Sequence, residues 1–128
     1  PMNILEGQIV QLQTGWEFVV GRLHIQLANE FQEACQQRVN QPVHLGIRPE
    51  DLHLSKPGDS APTEVRLSCE VSVVQLLGSD SLVELDCQGT AVMARVDARR
   101  ACRMGEMIDV SFSVERLHLF DAATGQRL

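Results

Sequence analysis

The chain has 128 residues, a hydrophobic fraction of 44% and a formal net charge of −6, with Lys56 as its single lysine. This length fits one domain, or two very small ones that share a core. Proteins that bind nucleic acid or an anionic membrane surface normally present a basic face, so the charge argues against both classes. No apolar run approaches the roughly 20 residues that a membrane helix needs.

The N-terminus and the cysteines bear on the origin of the chain. Pro1 precedes Met2, so Met2 does not look like a translation start, and we expect a fragment of a longer protein or an expression product. The four cysteines form no Cys-x-x-Cys pair. Cys69 and Cys87 occupy apolar positions of strand patterns, where a free cysteine behaves as a small hydrophobe. We expect all four to be reduced, with a disulfide framework as the alternative.

The first half of the chain predicts three strands, a helix, a fourth strand and a short fifth strand. Alternating apolar residues place the strands at 4–12, 16–20, 23–27, 43–48 and 52–54. The helix is expected from Glu30 to Arg38, with Asn29 as its N-cap and Gln32 at the capping-box position. Pro49 has no backbone N–H and should end the fourth strand.

The second half repeats this order after a Pro- and Gly-rich connector at 56–63. A strong strand pattern begins at Val65, and its phase slips at Val73-Val74, which indicates a β-bulge. Three more strands are expected at 83–87, 90–96 and 108–114, followed by a short one at 117–120. A second short helix should begin at Asp97 and end at Gly105.

The two halves, 2–55 and 64–121, also share residues. Glu50-x-Leu52-His53-Leu54 recurs as Glu115-x-Leu117-His118-Leu119, and Ile9-Val10-Gln11-Leu12 as Val73-Val74-Gln75-Leu76. Duplication is the simplest explanation, and chance similarity of short apolar strings is the alternative. Five strands with a helix after the third is the order of a small OB-type barrel. We therefore predict a mostly β fold of two OB-like halves with short helices, which pack together or exchange strands because each half alone buries little core.

The motifs of the common catalytic centres are absent from the sequence. It contains no phosphate-binding loop, no Gly-x-Ser-x-Gly elbow, no His-Glu-x-x-His and no tyrosine. We therefore predict no catalytic, cofactor-binding or metal-binding residues, and we assign the four histidines to strand faces. Arg48 and Glu50 flank Pro49, where they could form a contact between domains or subunits; a surface ion pair of little energetic value is the alternative.

Four stretches resemble a known family. Leu45–Leu52 is similar to the "G-I-R-P-E" signature in the C-terminal region of ATP-binding subunits of ABC importers, above all those for maltose, other sugars and glycerol phosphate. Pro1–Gly7, Val71–Ser79 and Leu117–Asp121 resemble three further motifs of that region, in the same order. The chain departs from the family at Gln75, where an acid is common, and in the segment 27–41.

The resemblance implies a pair of OB-like (TOBE) segments that follow a nucleotide-binding domain, which would be missing upstream of this chain. ATP and Mg²⁺ would bind that domain, so no ATP-site residue is carried over. The region would lie on the cytoplasmic side, peripheral to the inner face of the membrane. Its partners would be a second subunit in a homodimer, the permease subunits through the ATPase domain, and a regulatory protein. Arg48, Glu50, Phe120 and Asp121 are the interface contacts that we predict.

The predicted function is that of a non-catalytic regulatory and dimerisation domain, which acts by holding neighbours. One alternative is a module that binds a small oxyanion such as molybdate, although no Ser/Arg/Asn anion signature is visible. Another is an OB-fold nucleic-acid binder, which the acidic charge and the few aromatic residues disfavour.

Overall fold

The computed structural model describes residues 1–58, 65–99 and 102–128. The first half contains β1 Asn3–Leu12, β2 Gly15–Val20, β3 Leu23–Leu27, α1 Gln32–Gln37, β4 Pro42–Ile47 and β5 His53–Ser55. The second half contains β6 Val65–Leu77, β7 Asp80–Cys87, β8 Thr90–Asp97, β9 Met107–Phe112 and β10 His118–Asp121. The prediction of a mostly β fold with OB-like halves is confirmed.

The ten strands form two five-stranded antiparallel sheets. The first sheet has the order β10-β4-β1-β2-β3, and the second has the order β5-β9-β6-β7-β8. The fifth strand of each half therefore lies in the sheet of the other half: β10 pairs with β4, and β5 pairs with β9. Alternate residues of the strands point into a common core, whose largest fully buried side chains include Phe18, Phe112, Ile9 and Leu119.

Asn3 joins the two sheets through its side chain. Its Nδ2 donates to the carbonyl of Met93 in β8 at 2.8 Å and to that of Ile47 in β4 at 3.2 Å. Its Oδ1 accepts from the backbone N–H of Met93 at 2.8 Å. The amide thus satisfies both backbone groups of Met93, as a neighbouring strand would do.

The helices differ from the sequence predictions. Asn29 lies inside a 3₁₀ turn, Asn29–Phe31, that leads into α1, and the residue before this turn, Ala28, makes no side-chain cap. The predicted capping box is therefore wrong, because the 3₁₀ turn starts the helical segment one residue early. In the segment from Asp97 to Gly105, none of the described residues is helical, and residues 100 and 101 lie outside the described part.

The connector and the repeat are described only in part. Residues 59–63 of the connector and residue 64 lie outside the described ranges. Within the connector, the backbone N–H of Gly58 donates to Asp109 Oδ2 at 2.9 Å. The proposed repeat boundaries, and the duplication itself, stay predictions.

The expectation of four reduced cysteines is wrong for one pair, because Cys69 and Cys87 form a disulfide. The register of β6 and β7 pairs Glu70 with Asp86, so Cys69 and Cys87 face each other one step further along, with their Cα atoms 4.4 Å apart. This separation is typical of directly opposed residues whose side chains approach closely. The apolar pattern placed both cysteines in the core correctly, but it could not show that they face each other.

Reduction of this disulfide should lower stability. The bond spans 18 residues of sequence, and a loop of that size is worth about 3 kcal/mol in the chain-entropy account. Urea unfolding with and without dithiothreitol should show a loss of about 2–4 kcal/mol on reduction. A Cys69→Ala/Cys87→Ala double variant is the control and should not respond to reductant. Four free thiols in protein unfolded without reductant would contradict this prediction.

Loss of the Asn3 amide should weaken the link between the sheets. Asn3→Ala leaves the part-buried backbone groups of Met93 without their partner, which should cost about 2–3 kcal/mol of unfolding free energy. Ile4→Ala, at the exposed neighbouring position, is the control and should change stability by less than about 1 kcal/mol. Equal effects of the two substitutions would show that the amide does not hold the sheets together.

Candidate functional site

Two 3₁₀ corners carry the chain from one sheet to the other. β4 ends at Ile47, as Pro49 predicts, and the turn Pro49–Asp51 leads to β5. The corresponding turn, Val114–Arg116, leads from β9 to β10 and is capped by Ser113, whose hydroxyl accepts from the N–H of Glu115. In each turn the N–H of the third residue donates to the carbonyl of the residue before the turn at 3.0 Å. We call these two turns the corners.

A cleft of about 570 Å³ lies between the corners. Its lining residues are Glu50, Asp51, His53, Ser113, Val114, Glu115 and Arg116. Three carboxylates face a single arginine, so the cleft attracts cations more strongly than anions. Asp51 Oδ2 is buried and has no hydrogen-bond partner.

Arg48 reaches from the first corner to β10. Its Nη1 lies 3.2 Å from Nε2 of His118, which is buried. A guanidinium can only donate, so Nε2 of His118 is the acceptor and the imidazole is neutral. Burial lowers the pKa of His118, and the charges of Arg127 and Arg48 lower it further, while Asp51 raises it.

Phe120 lies on the face of the first sheet opposite the core. Its ring is stacked near that of His118, with centroids 6.4 Å apart. A Cβ at Gly46 would meet Met2 Sδ and, at 2.9 Å, Phe120 Cε2, so a larger residue there would force these side chains to shift. Phe120 is half-buried.

The carboxylate of Asp121 makes hydrogen bonds within the fold. Its Oδ1 accepts from the N–H groups of Ala123 at 2.8 Å and Thr124 at 2.9 Å, and its Oδ2 accepts from Arg38 Nε at 3.3 Å. The N–H of Thr124 and then that of Ala123 lower the pKa of Asp121, with a smaller effect from Arg38. The carboxylate therefore closes the turn after β10 and ties it to the residue that follows α1.

Of the four predicted contacts, the structure brings two together. Arg48 and Phe120 both lie against His118. Glu50 is exposed in the cleft between the corners. The carboxylate of Asp121 instead accepts hydrogen bonds from the turn that follows β10. Sequence reasoning missed Asn3 and the role of His118, since their partners are distant in the chain. The family-like motif around Pro1–Gly7 contained Asn3 but gave no sign of its partner.

A second concave surface covers part of the first sheet. It has a volume of about 490 Å³ and is lined by β1, β2 and β4, including Gln8, Val19 and His44. Within the described ranges, no three His, Cys, Asp or Glu side chains are placed so that they could hold a metal ion. No helix in the same ranges is long and apolar enough to cross a membrane.

Comparison with protein families covers nearly the whole chain. The TOBE domain family matches residues 45–120, and the MalK OB fold domain matches residues 1–52. The chain belongs to the TOBE domain family. The resemblance to the regulatory region of ABC importer ATP-binding subunits is thereby confirmed.

Relatives of this TOBE domain are named as transporter ATP-binding proteins. An uncharacterized ABC transporter ATP-binding protein, YcjV of Escherichia coli O157:H7, is 30% identical over 125 residues, which is 96% of this chain and 32% of the relative. The multiple sugar-binding transport ATP-binding protein MsmK of Streptococcus mutans is 38% identical over 85 residues, 66% of this chain and 22% of the relative. The sn-glycerol-3-phosphate import ATP-binding protein UgpC 3 of Agrobacterium fabrum is 39% identical over 87 residues, 66% of this chain and 24% of the relative.

The fold also resembles a solved structure. The cytoplasmic molybdate-binding protein ModG superposes with a TM-score of 0.73 at 16% identity, over 91% of this chain and 94% of that one. Identity at this level shows a shared fold. The chain spans about a third or less of the length of the curated relatives above.

His118 should make stability depend on pH. Because the pKa of His118 is lower in the folded state than the ordinary 6.5, the unfolded state takes up the proton first as the pH falls, and stability decreases. This loss of stability begins as the pH falls past the ordinary histidine pKa of 6.5 and is complete below the pKa of His118 in the folded state. Asp121 affects stability only at pH values below its ordinary pKa of 3.8. Measurements between about pH 7 and pH 5 therefore report the effect of His118 apart from that of Asp121.

The variant His118→Gln tests this assignment, since its amide oxygen can still accept from Arg48. Urea unfolding across that pH range should show a smaller loss of stability in the variant than in the parent chain. His53→Gln, at an exposed position, is the matched control and should keep the parent's dependence. An unchanged dependence in His118→Gln would contradict the assignment.

Proposed function

We propose that the chain is the non-catalytic part of an importer's ATP-binding subunit, through which two such subunits are held together and regulated. The imported solute would be a sugar or a related compound, as the names of the relatives MsmK and UgpC suggest. ATP and Mg²⁺ would bind elsewhere in the subunit, and the subunit would sit with its permease partners at the cytoplasmic face of the membrane. The observation that best supports this proposal is that the two family matches, residues 1–52 and 45–120, overlap slightly and together cover residues 1–120 of the chain.

The corner cleft is the contact surface that we propose for a neighbouring component of the transporter. Glu50 is exposed there, and the described structure gives it no ion pair or hydrogen bond. Arg48, which is also exposed, ties the corner to β10 through its hydrogen bond to His118. Phe120 is half-buried and lies against the same histidine. Asp121 would act indirectly, by fixing the end of β10.

The charge of the cleft distinguishes this proposal from an oxyanion-binding role. Glu50, Asp51 and Glu115 line the cleft with Arg116 as the one cationic side chain. An oxyanion would meet net repulsion there. The likeness to the molybdate-binding protein concerns the fold, so no second function is advanced from it.

Charge reversal at the corner tests the proposal in the ATP-binding subunit that carries this chain. Glu50→Arg should lower transport-coupled ATP hydrolysis by about tenfold, the effect of losing roughly 1.4 kcal/mol of contact energy. Basal hydrolysis by the purified subunit should not change, because Glu50 lies outside any ATP site in this reading. Glu33→Arg, on the exposed side of α1, is the matched control.

Two outcomes would count against the proposal. Coupled hydrolysis that is equal in Glu50→Arg and Glu33→Arg would remove the corner as a contact. A wild-type subunit that sediments as a monomer at every concentration, with or without ATP, would remove the pairing role.

A further inference from the structure

His118 lies where the first corner meets β10, and its ring is the acceptor that holds Arg48. Nη1 of Arg48 is 3.2 Å from Nε2 of His118, and this histidine is only 8% exposed. A guanidinium has donors and no acceptor, so the contact exists only while Nε2 keeps its lone pair. Protonation of the ring would place two cationic donors against each other. The bond between the corner and β10 therefore requires a neutral imidazole.

The same corner holds a carboxylate oxygen that lacks a donor. Oδ2 of Asp51 is buried, and no residue in the described ranges gives it a hydrogen bond. A buried acceptor without a donor costs free energy, and a charged one costs more. The charge of Asp51 acts on His118, as do the charges of Arg48 before the corner and of Arg127 after β10. Protonation of His118 would therefore create a cationic donor near a carboxylate that has none.

The second corner lacks this arrangement, although both corners carry the pattern Glu-x-Leu-His. Ser113 takes the place of Arg48 and caps its own turn through its hydroxyl. Arg48 caps no turn, since its side chain extends to β10 instead. His53 takes the place of His118 and is exposed, opposite Ser111 on β9. An arginine that bonds to a buried histidine is therefore found at the first corner and not at the second.

We propose that the first corner is a proton switch, in which protonation of His118 releases Arg48 and engages the carboxylate of Asp51. While the ring is neutral, Arg48 ties the corner to β10. When the ring is charged, it repels Arg48 and Arg127 and pairs with Asp51. The proton comes from the solvent, and no covalent bond other than N–H is made or broken.

The switch responds to acidification. Burial, then Arg127 and Arg48, hold the pKa of His118 below its ordinary value of 6.5, against the opposing effect of Asp51. The ring is therefore uncharged at neutral pH and takes up its proton only after an exposed histidine has done so. Protonation also adds a positive charge beside the corner cleft, where carboxylates predominate. Acidification should therefore weaken the binding of a cationic partner, a consequence that rests on the contact role proposed above.

Nuclear magnetic resonance of the ¹⁵N-labelled chain tests the switch directly. At about pH 8 the ring of His118 should carry its proton on Nδ1, because Nε2 accepts from Arg48. The guanidinium signal of Arg48 should be sharp there, and it should shift and broaden as His118 titrates. A ring proton on Nε2 at that pH, or an Arg48 signal that does not follow the titration, overturns the proposal.

Substitution of the charged neighbours should change the pKa of His118 in opposite directions. Arg48→Gln removes a cation and should raise that pKa by about one pH unit, whereas Asp51→Asn removes the acceptor of the charged ring and should lower it by a similar amount. Glu50→Gln is the matched control, because Glu50 is an exposed carboxylate of the same corner and is not among the groups that act on the ring. Equal effects of Asp51→Asn and Glu50→Gln would overturn the role of Asp51. The same spectra show whether each variant is folded.

Transport-coupled ATP hydrolysis relates the switch to the proposed contact. In the subunit that carries this chain, the ratio of coupled to basal hydrolysis should fall about threefold from about pH 7.5 to about pH 5.5, the effect of one added charge. His118→Gln keeps an acceptor for Arg48 and gains no charge, so its ratio should stay level. His53→Gln, at the corresponding position of the second corner, should follow the parent subunit.

The outcomes separate the switch from the contact role. If the ratio falls equally in His118→Gln and His53→Gln, regulation of the contact by His118 is overturned, and the contact role stands. If Glu50→Arg leaves coupled hydrolysis unchanged while the Arg48 signal follows the titration of His118, the contact role is overturned, and the switch stands.

Discussion

Each sheet of this fold depends on a strand that the other half supplies. The chain crosses from the first sheet to the second at the corner before β5, and it returns at the corner before β10. Removing either half would expose the edge of β4 or of β9 that a strand of the other half now covers. The amide of Asn3 adds a polar link between β1 and β8. The two halves are therefore one cooperative unit, although each has the strand order of a small barrel.

The corners place the strictest requirements on the sequence, because the chain must turn there from one sheet into the other. Pro49 has a fixed φ that suits the first position of a 3₁₀ turn, and Arg48 before it is held in the extended region. Gly46 has no side chain, so Met2 and Phe120 can close over the strand just before the turn. Arg48 then bonds to His118 of the returning strand. The motif residues Gly46, Arg48 and Pro49 thus hold the crossing of the chain, while Glu50 is exposed and has no part in it.

The sequence predicted what depends on local pattern and missed what depends on register. Alternation located the strands, and the proline located the corner, because both signals lie within a few residues of the structure that they determine. The disulfide depends on the pairing of β6 with β7, which places Cys69 opposite Cys87. The bonds of Asn3 cross 90 residues to reach Met93. The second helix was inferred from a cap and a stop signal near Asp97 and Gly105. Ala98, which would have begun it, instead donates its backbone N–H to the carbonyl of Ser79 in the turn between β6 and β7, and residues 100 and 101 lie outside the described part.

The position of β9 explains why the second corner is a firmly held surface. β9 runs from Met107 to Phe112, and the corner follows its end. β9 pairs with β5 on one side and with β6 on the other, so the chain enters the corner from the interior of the second sheet. The first corner likewise follows β4, which pairs with β1 and β10. Because both corners leave strands that are paired on both sides, a partner in the cleft would meet a preformed surface, and it could shift the protein between two states only by binding one of them more tightly.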